Sequence, residues 1–310
     1  MRRVVVFGAS GDVGRYFIDY LLTQKAEYQI IAVGHRKSFS IFKDCPSVQY
    51  YPIDITQKSE FNHLPKDIFA VVDFAGLMPA RMKGYYPQRY IDVNITLWTL
   101  NILDYARDAH ADRFLFMQSF GDIKDYGEKE VLLTVNMPRK FQFDTDHTVY
   151  VMTKNFAVDL LENYHQLYGI KNFVFRLPTI YLYSKQDKFY VDGKERQIGY
   201  RRLIDMAKNG DVMQVWGDPY RVKDMVYVKD FRQMLLKALC VNRSHGYYNV
   251  GTGVGTTLID QIKGIVQVLG HDNKIELRPD MPNAPQYDYI SMLQDFKREM
   301  NANRLYQDEG

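Results

Sequence analysis

Cysteine is scarce in this chain of 310 residues, which contains only Cys45 and Cys240. The two lie far apart in the sequence, and neither belongs to a Cys-x-x-Cys motif or to a cluster with histidine. A disulfide-stapled scaffold or a structural zinc site would need closely spaced cysteines. The sequence therefore argues against both, and we expect no bound metal.

Long hydrophobic runs and an excess of one charge are also missing. No stretch approaches the roughly 18 apolar residues that predict a transmembrane helix. The chain has 40 Lys and Arg against 37 Asp and Glu, and its basic residues form only short runs. Strand-like sequence begins at Arg3, which leaves no room for a signal peptide. We therefore expect a cytoplasmic protein that binds neither membrane nor nucleic acid.

The sequence does contain short apolar runs that alternate with helical patterns. The runs predict buried strands at residues 3–8, 29–34, 48–55, 68–76, 113–119 and 171–178. Helical spacing of apolar residues appears at 12–24, 90–109 and 149–168. Strands that alternate with helices predict βαβ units, and hence an α/β fold with a doubly wound parallel sheet.

The alternation breaks down beyond Pro178. A polar, loop-like stretch is followed by a helical pattern that begins at Arg201. Residues 225–230 and 246–251 again have strand character. We therefore predict a first domain over 1–178, with strands near 225–253 returning to it, and a smaller α/β substrate domain built from C-terminal insertions, over 179–224 and 254–310.

A glycine-rich loop follows the first predicted strand and reads Gly8-Ala9-Ser10-Gly11-Asp12-Val13-Gly14. Between a strand and a helix, such a loop is typical of dinucleotide binding, because its backbone approaches the pyrophosphate at a helix N-terminus. A tight turn that merely needs glycine is the alternative. We expect a Rossmann-type fold whose cofactor is bound by Gly8, Ser10, Gly11, Asp12, Val13 and Gly14.

The end of the second strand bears on which dinucleotide is bound. An NAD site usually has Asp or Glu about 20 residues beyond the glycine loop, bonded to the ribose 2′-hydroxyl. Here the sequence is Gly34-His35-Arg36-Lys37, without a carboxylate. Arg36 can bind a 2′-phosphate in fork geometry. Arg36 and Lys37 therefore favour NADP, and NAD remains the alternative if these cations are only an exposed turn.

Tyr150 and Lys154 stand four residues apart at the start of a predicted helix. Positions i and i+4 share one face of a helix. A cation beside a phenol lowers the phenol's pKa, which can make tyrosine a usable acid or base. In a chain with 24 tyrosines, the spacing also arises by chance.

These motifs together resemble the extended short-chain dehydrogenase/reductase family, in its nucleotide-sugar epimerase/dehydratase branch, over nearly the whole chain. Asp54-Ile55 matches the acidic site that reads the adenine after the third strand. Residues 73–76 resemble the family's H-x-A-A loop beside the cofactor, with Asp73 in the histidine place and Gly76 in that of the last alanine. Residues 90–106 resemble its N-x-x-G-T-x-x-L-L helix.

The resemblance implies roles for particular residues. Tyr150 would exchange a proton with the substrate oxygen, Lys154 would hold the nicotinamide ribose and lower the tyrosine pKa, and Ser119 would hydrogen-bond the same oxygen. Ser119 comes from the match of residues 113–119 to R-F-V-F-x-S-S. The segment that follows is longer than the family's S-S-x-x-V-Y-G, so an alignment shifted at Phe120 or Asp122 is the alternative. The further cofactor contacts implied are Asp54, Ile55, Ala75, Lys154 and Pro178.

The C-terminal half resembles the family's substrate-binding segments. Lys223 stands where an arginine usually contacts the substrate diphosphate, and Arg278 matches a second arginine that meets phosphate. Thr179 is the third implied substrate contact. A nucleotide-sugar substrate is therefore expected, although Lys223 lacks the fork of arginine and is alternatively a surface residue of a structural turn.

Several reactions are compatible with this resemblance. Dehydratases of the family carry Asp-Glu after the catalytic Ser or Thr, and Phe120-Gly121 stands there instead. We expect reduction of a keto-sugar nucleotide by NADPH. The alternatives are a nucleotide-sugar 4-epimerase with tightly bound NAD, a reductase of non-nucleotide carbonyls, and a non-catalytic NADP(H)-binding regulator. The resemblance also implies a homodimer, because family members often pair the helices at 90–109 and 149–168 in a four-helix bundle.

Overall fold

The structure is a computed structural model that describes residues 1–24, 27–35, 40–42, 44–126, 131–184, 186–191, 193–283 and 289–291. The strands are β1 Arg2–Phe7, β2 Tyr28–Gly34, β3 Val48–Pro52, β4 Ala70–Asp73, β5 Arg113–Ser119, β6 Val131–Leu133, β7 Lys171–Leu177, β8 Ile180–Tyr181, β9 Lys188–Val191, β10 Lys194–Gln197, β11 Met213–Trp216, β12 Val222–Asp224, β13 Val226–Tyr227, β14 His245–Asn249, β15 Gly255–Thr257, β16 Ile275–Arg278 and β17 Tyr289–Ser291. The α-helices are α1 Asp12–Leu22, α2 Pro87–Ile91, α3 Leu100–Asp108, α4 Thr148–Tyr168, α5 Gly199–Lys208, α6 Val228–Cys240 and α7 Leu258–Leu269.

A parallel sheet of seven strands dominates the described part of the chain, in the order β14-β7-β5-β4-β1-β2-β3. Adjacent strands pair parallel, with Val4 opposite both Ile30 and Ala70. This confirms the predicted doubly wound α/β sheet. Since β2 and β3 lie on one side of β1 and β4 lies on the other, the chain reverses direction beside β1. In such sheets the ligand crevice opens at this reversal, beyond the carboxyl ends of the strands.

Helices cover both faces of this sheet, as the alternation of side chains along β1 requires. Val4 and Val6 pack with Phe17 of α1 and Leu235 of α6. Val5 and Phe7 belong to a second cluster on the opposite face, with helices α3 and α4. Each fully buried Phe or Leu contributes about 1.5–3 kcal/mol to folding. The two clusters therefore hold β1 and its glycine loop in a fixed position.

The segment at 225–230 differs from its prediction. Only Val226–Tyr227 is a strand, and it pairs with β8 rather than with the main sheet. Helix α6 begins directly afterwards, and it buries Phe231 and Leu235 one helical turn apart. The expectation of a returning strand at 225–230 was therefore wrong. The strand expected at 246–251 is present as β14, which pairs with β7 at the edge of the sheet.

Part of the chain beyond β7 forms smaller sheets with a core of their own. Strands β11 and β16 pair in parallel, and the buried Met213 and Val215 of β11 pack there with Ala207 of α5 and Ile262 of α7. Strands β9 and β10 form an antiparallel hairpin. The exact domain boundaries stay a prediction. No helix within the described ranges is both long and apolar enough to span a membrane.

Candidate active site

The glycine loop after β1 packs directly against the loop after β4. Gly8 has φ +73°, and a Cβ added there would lie 2.8 Å from the carbonyl carbon of Phe74 and 2.9 Å from the Ala75 nitrogen. A Cβ at Gly14 would lie 2.6 Å from the Gly8 oxygen. Glycine is therefore needed at both positions for packing alone. The same close packing brings the loops after β1 and β4 together at the reversal of the sheet.

Helix α1 begins at Asp12, directly within this loop, so its first backbone N–H groups lack partners in the helix itself. Gly11 is the N-cap residue and offers no side chain to cap the helix. Ser10 is buried, and Asp12 in the first turn forms an ion pair with Arg81 at 3.5 Å. Because Arg81 offsets the Asp12 carboxylate, the helix start can hold a phosphate. Val13 lies against the core beneath. The loop thus fits a dinucleotide pyrophosphate.

The end of β2 leaves little room for a carboxylate. A Cβ at Gly34 would lie 2.9 Å from the Tyr50 hydroxyl and 3.1 Å from the Ser10 hydroxyl. An Asp or Glu at position 34 would therefore displace Tyr50. Arg36 and Lys37, which the sequence proposes as ligands of a 2′-phosphate, lie outside the described residues, and their role stays a prediction.

Asp54 follows β3 at the same edge of the sheet. Its Oδ1 accepts hydrogen bonds from the Thr56 backbone N–H at 2.9 Å and from the Thr56 hydroxyl at 2.7 Å. The carbonyl of Ile55 accepts one from the Asn101 amide at 3.1 Å. The turn is therefore ordered by its own hydrogen bonds, and Asp54 is exposed to solvent at its surface. Contact of either residue with an adenine remains predicted.

The structure brings Tyr150 and Ser119 together, the former in the first turn of α4 and the latter at the end of β5. Their side chains share a hydrogen bond, and Ser119 Oγ also accepts the Gly121 N–H at 3.1 Å. Tyr150 is only 9% exposed. Burial raises the pKa of Tyr150 to about 12, although the bond with Ser119 lowers it in part. Lys154, predicted to lower this pKa, is not among the groups that shift it; its charge interacts with a carboxylate instead.

That carboxylate is Asp73, at the end of β4. The Lys154 ammonium lies 4.6 Å from the centre of the Phe116 ring and 3.4 Å from where a Cβ of Gly76 would stand. Burial lowers the pKa of Lys154, and the carboxylate of Asp73 acts against this. Asp73 is itself 2% exposed, and burial raises its pKa to about 6 despite Lys154 and a hydrogen bond from the Ala75 N–H.

Asn94 is a site residue that the sequence reasoning missed. It lies in a π-helical segment, Asp92–Thr99, that joins α2 to α3. Its Oδ1 accepts the Leu77 N–H at 2.8 Å, and its Nδ2 donates to the Leu77 carbonyl at 3.0 Å and to the Thr153 hydroxyl at 3.4 Å. Asn94 thus holds the loop after β4 against α4. The signal was the asparagine of the N-x-x-G-T resemblance, and π-helical segments often mark functional sites.

A buried ion pair fixes the segment that follows Ser119. Arg176 of β7 donates to Asp122 Oδ2 at 2.9 Å and to Asn249 Oδ1 at 2.8 Å. Asn249 in turn donates to the Leu133 carbonyl at 3.0 Å. Burial raises the pKa of Asp122, and the Arg176 charge opposes this. Asp122 is therefore engaged in a buried ion pair with Arg176, whereas Ser119 pairs with Tyr150.

The residues predicted to bind substrate are more dispersed. Pro178 is buried and Thr179 is exposed, directly after β7. The Lys223 ammonium, on β12, lies 5.4 Å from the centre of the Tyr181 ring. Arg278 lies on β16 in a different sheet, where it makes a bidentate ion pair with Asp280 at 3.1 and 2.9 Å. Lys223 and Arg278 thus lie in different sheets, and their contact with a substrate phosphate stays a prediction.

Known proteins share sequence and fold with this chain. The model of the NAD dependent epimerase/dehydratase family matches residues 4–251. The Low-salt glycan biosynthesis protein Agl12 of Haloferax volcanii is 25% identical over 294 residues, which cover 91% of this chain and 88% of that protein.

Two solved structures share the fold. A UDP-glucose 4-epimerase of Thermotoga maritima with UDP-glucose superposes with a TM-score of 0.75 at 20% identity, over 96% of this chain and 92% of that chain. A UDP-glucose 4-epimerase of Thermus thermophilus in complex with NAD has a TM-score of 0.72 at 19% identity, with the same coverage of 96% and 92%. At these identities, the likeness establishes the fold alone.

Proposed function

This chain belongs to the NAD-dependent epimerase/dehydratase family of enzymes, and from that premise we propose that it reduces the carbonyl of a keto-sugar nucleotide with NADPH. The observation that carries the proposal is the meeting of Tyr150 and Ser119 beside the buried Lys154 at the reversal of the sheet. These are the groups that reduction of a carbonyl requires around the reacting oxygen.

Each of the three side chains has a separate task in this reaction. The dinucleotide supplies the hydride when it is bound. Tyr150 donates its proton to the substrate oxygen, and Ser119 hydrogen-bonds the same oxygen. Lys154 holds the nicotinamide ribose. Burial raises the pKa of Tyr150 to about 12, so the phenol carries the proton that reduction of a carbonyl requires.

NADP rather than NAD is the proposed cofactor. Position 34 at the end of β2 is a glycine, and the hydroxyls of Tyr50 and Ser10 lie where its side chain would stand. A 2′-phosphate would therefore meet no repelling carboxylate there. Arg36 and Lys37 follow in the sequence and would supply the positive charge. Arg36→Ala should therefore weaken NADPH binding far more than NADH binding in a fluorescence titration. Equal losses for both dinucleotides would remove the 2′-phosphate contact from the proposal.

The proposed substrate class is a nucleotide sugar, in line with the relatives. One of the solved structures that share this fold, the UDP-glucose 4-epimerase of Thermotoga maritima, contains UDP-glucose. Lys223, beside the Tyr181 ring, and Thr179 after β7 are the proposed contacts. Arg278, whose Nε and Nη2 donate to Asp280, is the remaining proposed contact.

A nucleotide-sugar 4-epimerase with tightly bound NAD is the second candidate. It is favoured by the structural likeness to UDP-glucose 4-epimerases, one of them in complex with NAD. An epimerase keeps its dinucleotide between turnovers, whereas a reductase releases it.

The experiment that separates the two candidates uses freshly purified protein. It is denatured, any released dinucleotide is identified, and the emptied protein is titrated with NADPH and NADH. Reduction predicts an empty site that prefers NADPH, followed by NADPH consumption with one member of a panel of keto-sugar nucleotides. Stoichiometric NAD released from the protein would contradict the reductase and support the epimerase.

A homodimer is also proposed. Apolar side chains are exposed on α4, with Met152 at 40% and Phe156 at 48%, and on the neighbouring helices, with Ile91 at 40% and Leu100 at 37%. These helices cover one face of the sheet, and water-exposed apolar surface of this kind is typical of an interface. The partner we propose is a second copy of this chain, packed helix against helix.

A further inference from the structure

A buried carboxylate lies at the end of β4, where the related pattern has histidine. Asp73 is 2% exposed and fully enclosed by the sheet and the loop that follows it. Its Oδ1 accepts the Ala75 N–H at 2.8 Å. One hydrogen bond of this kind does not offset the loss of hydration of a buried carboxylate. Asp73 therefore needs a positive charge nearby to remain ionised.

Lys154 supplies the positive charge. Its side chain is also buried, at 7% exposure, and its ammonium lies against Gly76 in the turn that Asp73 begins. Electrostatic attraction links the two residues in both directions: Asp73 favours the charged form of Lys154, and Lys154 favours the charged form of Asp73. Within the described part of the chain, the Asp73 carboxylate and the Lys154 ammonium share no direct hydrogen bond, so the attraction between their charges acts across the turn.

The other groups around Lys154 do not supply a countercharge. The Phe116 ring of β5 lies beneath the ammonium, and Tyr150 stands one turn earlier on α4. Tyr150 is neutral at ordinary pH, because its pKa is raised to about 12. Asn94, which holds the loop from the π-helical segment, is also neutral. Within the described ranges, Asp73 is thus the carboxylate that acts on Lys154.

We propose that Asp73 is a positioning residue that keeps the Lys154 ammonium charged and held at the turn where a nicotinamide ribose would bind. The inference rests on the proposed function for the role of Lys154 toward the cofactor. It adds that this role depends on a carboxylate at position 73. An uncompensated buried ammonium tends to lose its proton, and a neutral amine holds ribose hydroxyls less firmly than an ammonium does.

The test is a double-mutant cycle read by dinucleotide binding at a series of pH values, so that it does not depend on turnover. Asp73→Asn keeps the size of the side chain and removes its charge. As the pH rises, the affinity of this variant for the dinucleotide should begin to fall about one pH unit earlier than that of the wild type. At a fixed alkaline pH, this shift corresponds to about a tenfold loss of affinity. In a Lys154→Met background, Asp73→Asn should cause no further shift.

The matched control is Asp112→Asn. Asp112 pairs with Arg113 and Lys171 at 2.8 Å each, at the opposite end of β5 from Ser119. Its loss removes a carboxylate from an ion pair of the same sheet and should leave the pH dependence of binding unchanged. The proposal is overturned if the affinities of Asp73→Asn and of the wild type fall at the same alkaline pH. It is also overturned if Asp73→Asn shifts the pH dependence of binding equally in the Lys154→Met background, because Asp73 would then act through another group.

A measurement on the unliganded protein covers the case in which a variant folds or binds too poorly. The carboxyl carbon of Asp73 is titrated by ¹³C NMR in the wild type and in Lys154→Met. The pKa of Asp73, about 6 with Lys154 present, should rise when the lysine charge is removed. An unchanged pKa would overturn the proposal. If the wild type binds no dinucleotide, the proposed function fails, and this titration still decides whether the pair exists.

Discussion

The acid–base state of Tyr150 follows from the position of its hydroxyl in the first turn of α4. Burial raises its pKa to about 12, and the hydrogen bond with Ser119 offsets only part of this. An exposed tyrosine with a lysine four residues later would behave differently, since the cation would lower the pKa. The phenol therefore carries its proton at neutral pH, as an unperturbed tyrosine also does.

The first prediction concerns this hydroxyl. Tyr150→Phe should reduce turnover at least about a hundredfold, the usual scale for loss of a general acid, while the dissociation constant for the dinucleotide changes little. Both are measured with the keto-sugar nucleotide identified in the panel. Tyr105→Phe is the control, because Tyr105 is also buried but its hydroxyl donates to the Pro65 carbonyl at 2.6 Å. Near-normal turnover of Tyr150→Phe would refute the assignment.

The second prediction concerns Gly8. An alanine there would carry φ +73° and place its Cβ 2.8 Å from Phe74, so both strain and overlap oppose it. Gly169 at the end of α4 has φ +72° with no atom within 4 Å of an added Cβ. Gly169→Ala should therefore lower the free energy of unfolding only by the strain of a left-handed backbone at a non-glycine residue, about 1–2 kcal/mol. Gly8→Ala should cost clearly more in urea unfolding and should also weaken dinucleotide binding. Equal costs would contradict the close packing of the two loops.

At the scale of the elements, the π-helical segment Asp92–Thr99 positions the loop after β4. Asn94→Ala would leave the Leu77 N–H and carbonyl without their partners, at a cost of about 1–3 kcal/mol per buried group. The free energy of unfolding should fall accordingly. Asn101→Ala, which removes a single bond to the Ile55 carbonyl, should cost less. A loss for Asn94→Ala no larger than that for Asn101→Ala would show that the loop is held by other contacts.

The elements also show how far sequence reasoning reaches. Apolar runs predicted β1, β2, β5 and β7 closely, because a buried parallel strand is apolar on both faces. The predicted strand at 225–230 ran past the end of β13 into the first residues of α6, because the apolar run from Met225 to Val228 has strand character. The meeting of Tyr150 and Ser119 was implied by the family resemblance, which gives both residues the same substrate oxygen. The Asp73–Lys154 interaction was not predictable, since it depends on burial that arises only when the loop after β4 folds against α4.

At the scale of the whole molecule, the account predicts a homodimer formed through α4 and its neighbouring helices. Phe156→Glu should convert it to a monomer, because a carboxylate would be buried without a partner at the interface. Light scattering coupled to size exclusion measures the mass. Leu167→Glu is the control, since Leu167 is 63% exposed in the last turn of the same helix, away from Phe156. A monomeric wild type at micromolar concentration would contradict the prediction.

The central claim is that hydride passes from NADPH to the carbonyl carbon of a nucleotide sugar. The most direct test uses NADPH deuterated at C4 on either face, incubated with the keto-sugar nucleotide, and mass spectrometry of the sugar product. The account predicts deuterium in the product from one of the two labelled cofactors, in stoichiometric amount, and none with Tyr150→Phe on the same timescale. A nucleotide sugar that is epimerised without gaining deuterium would contradict the account.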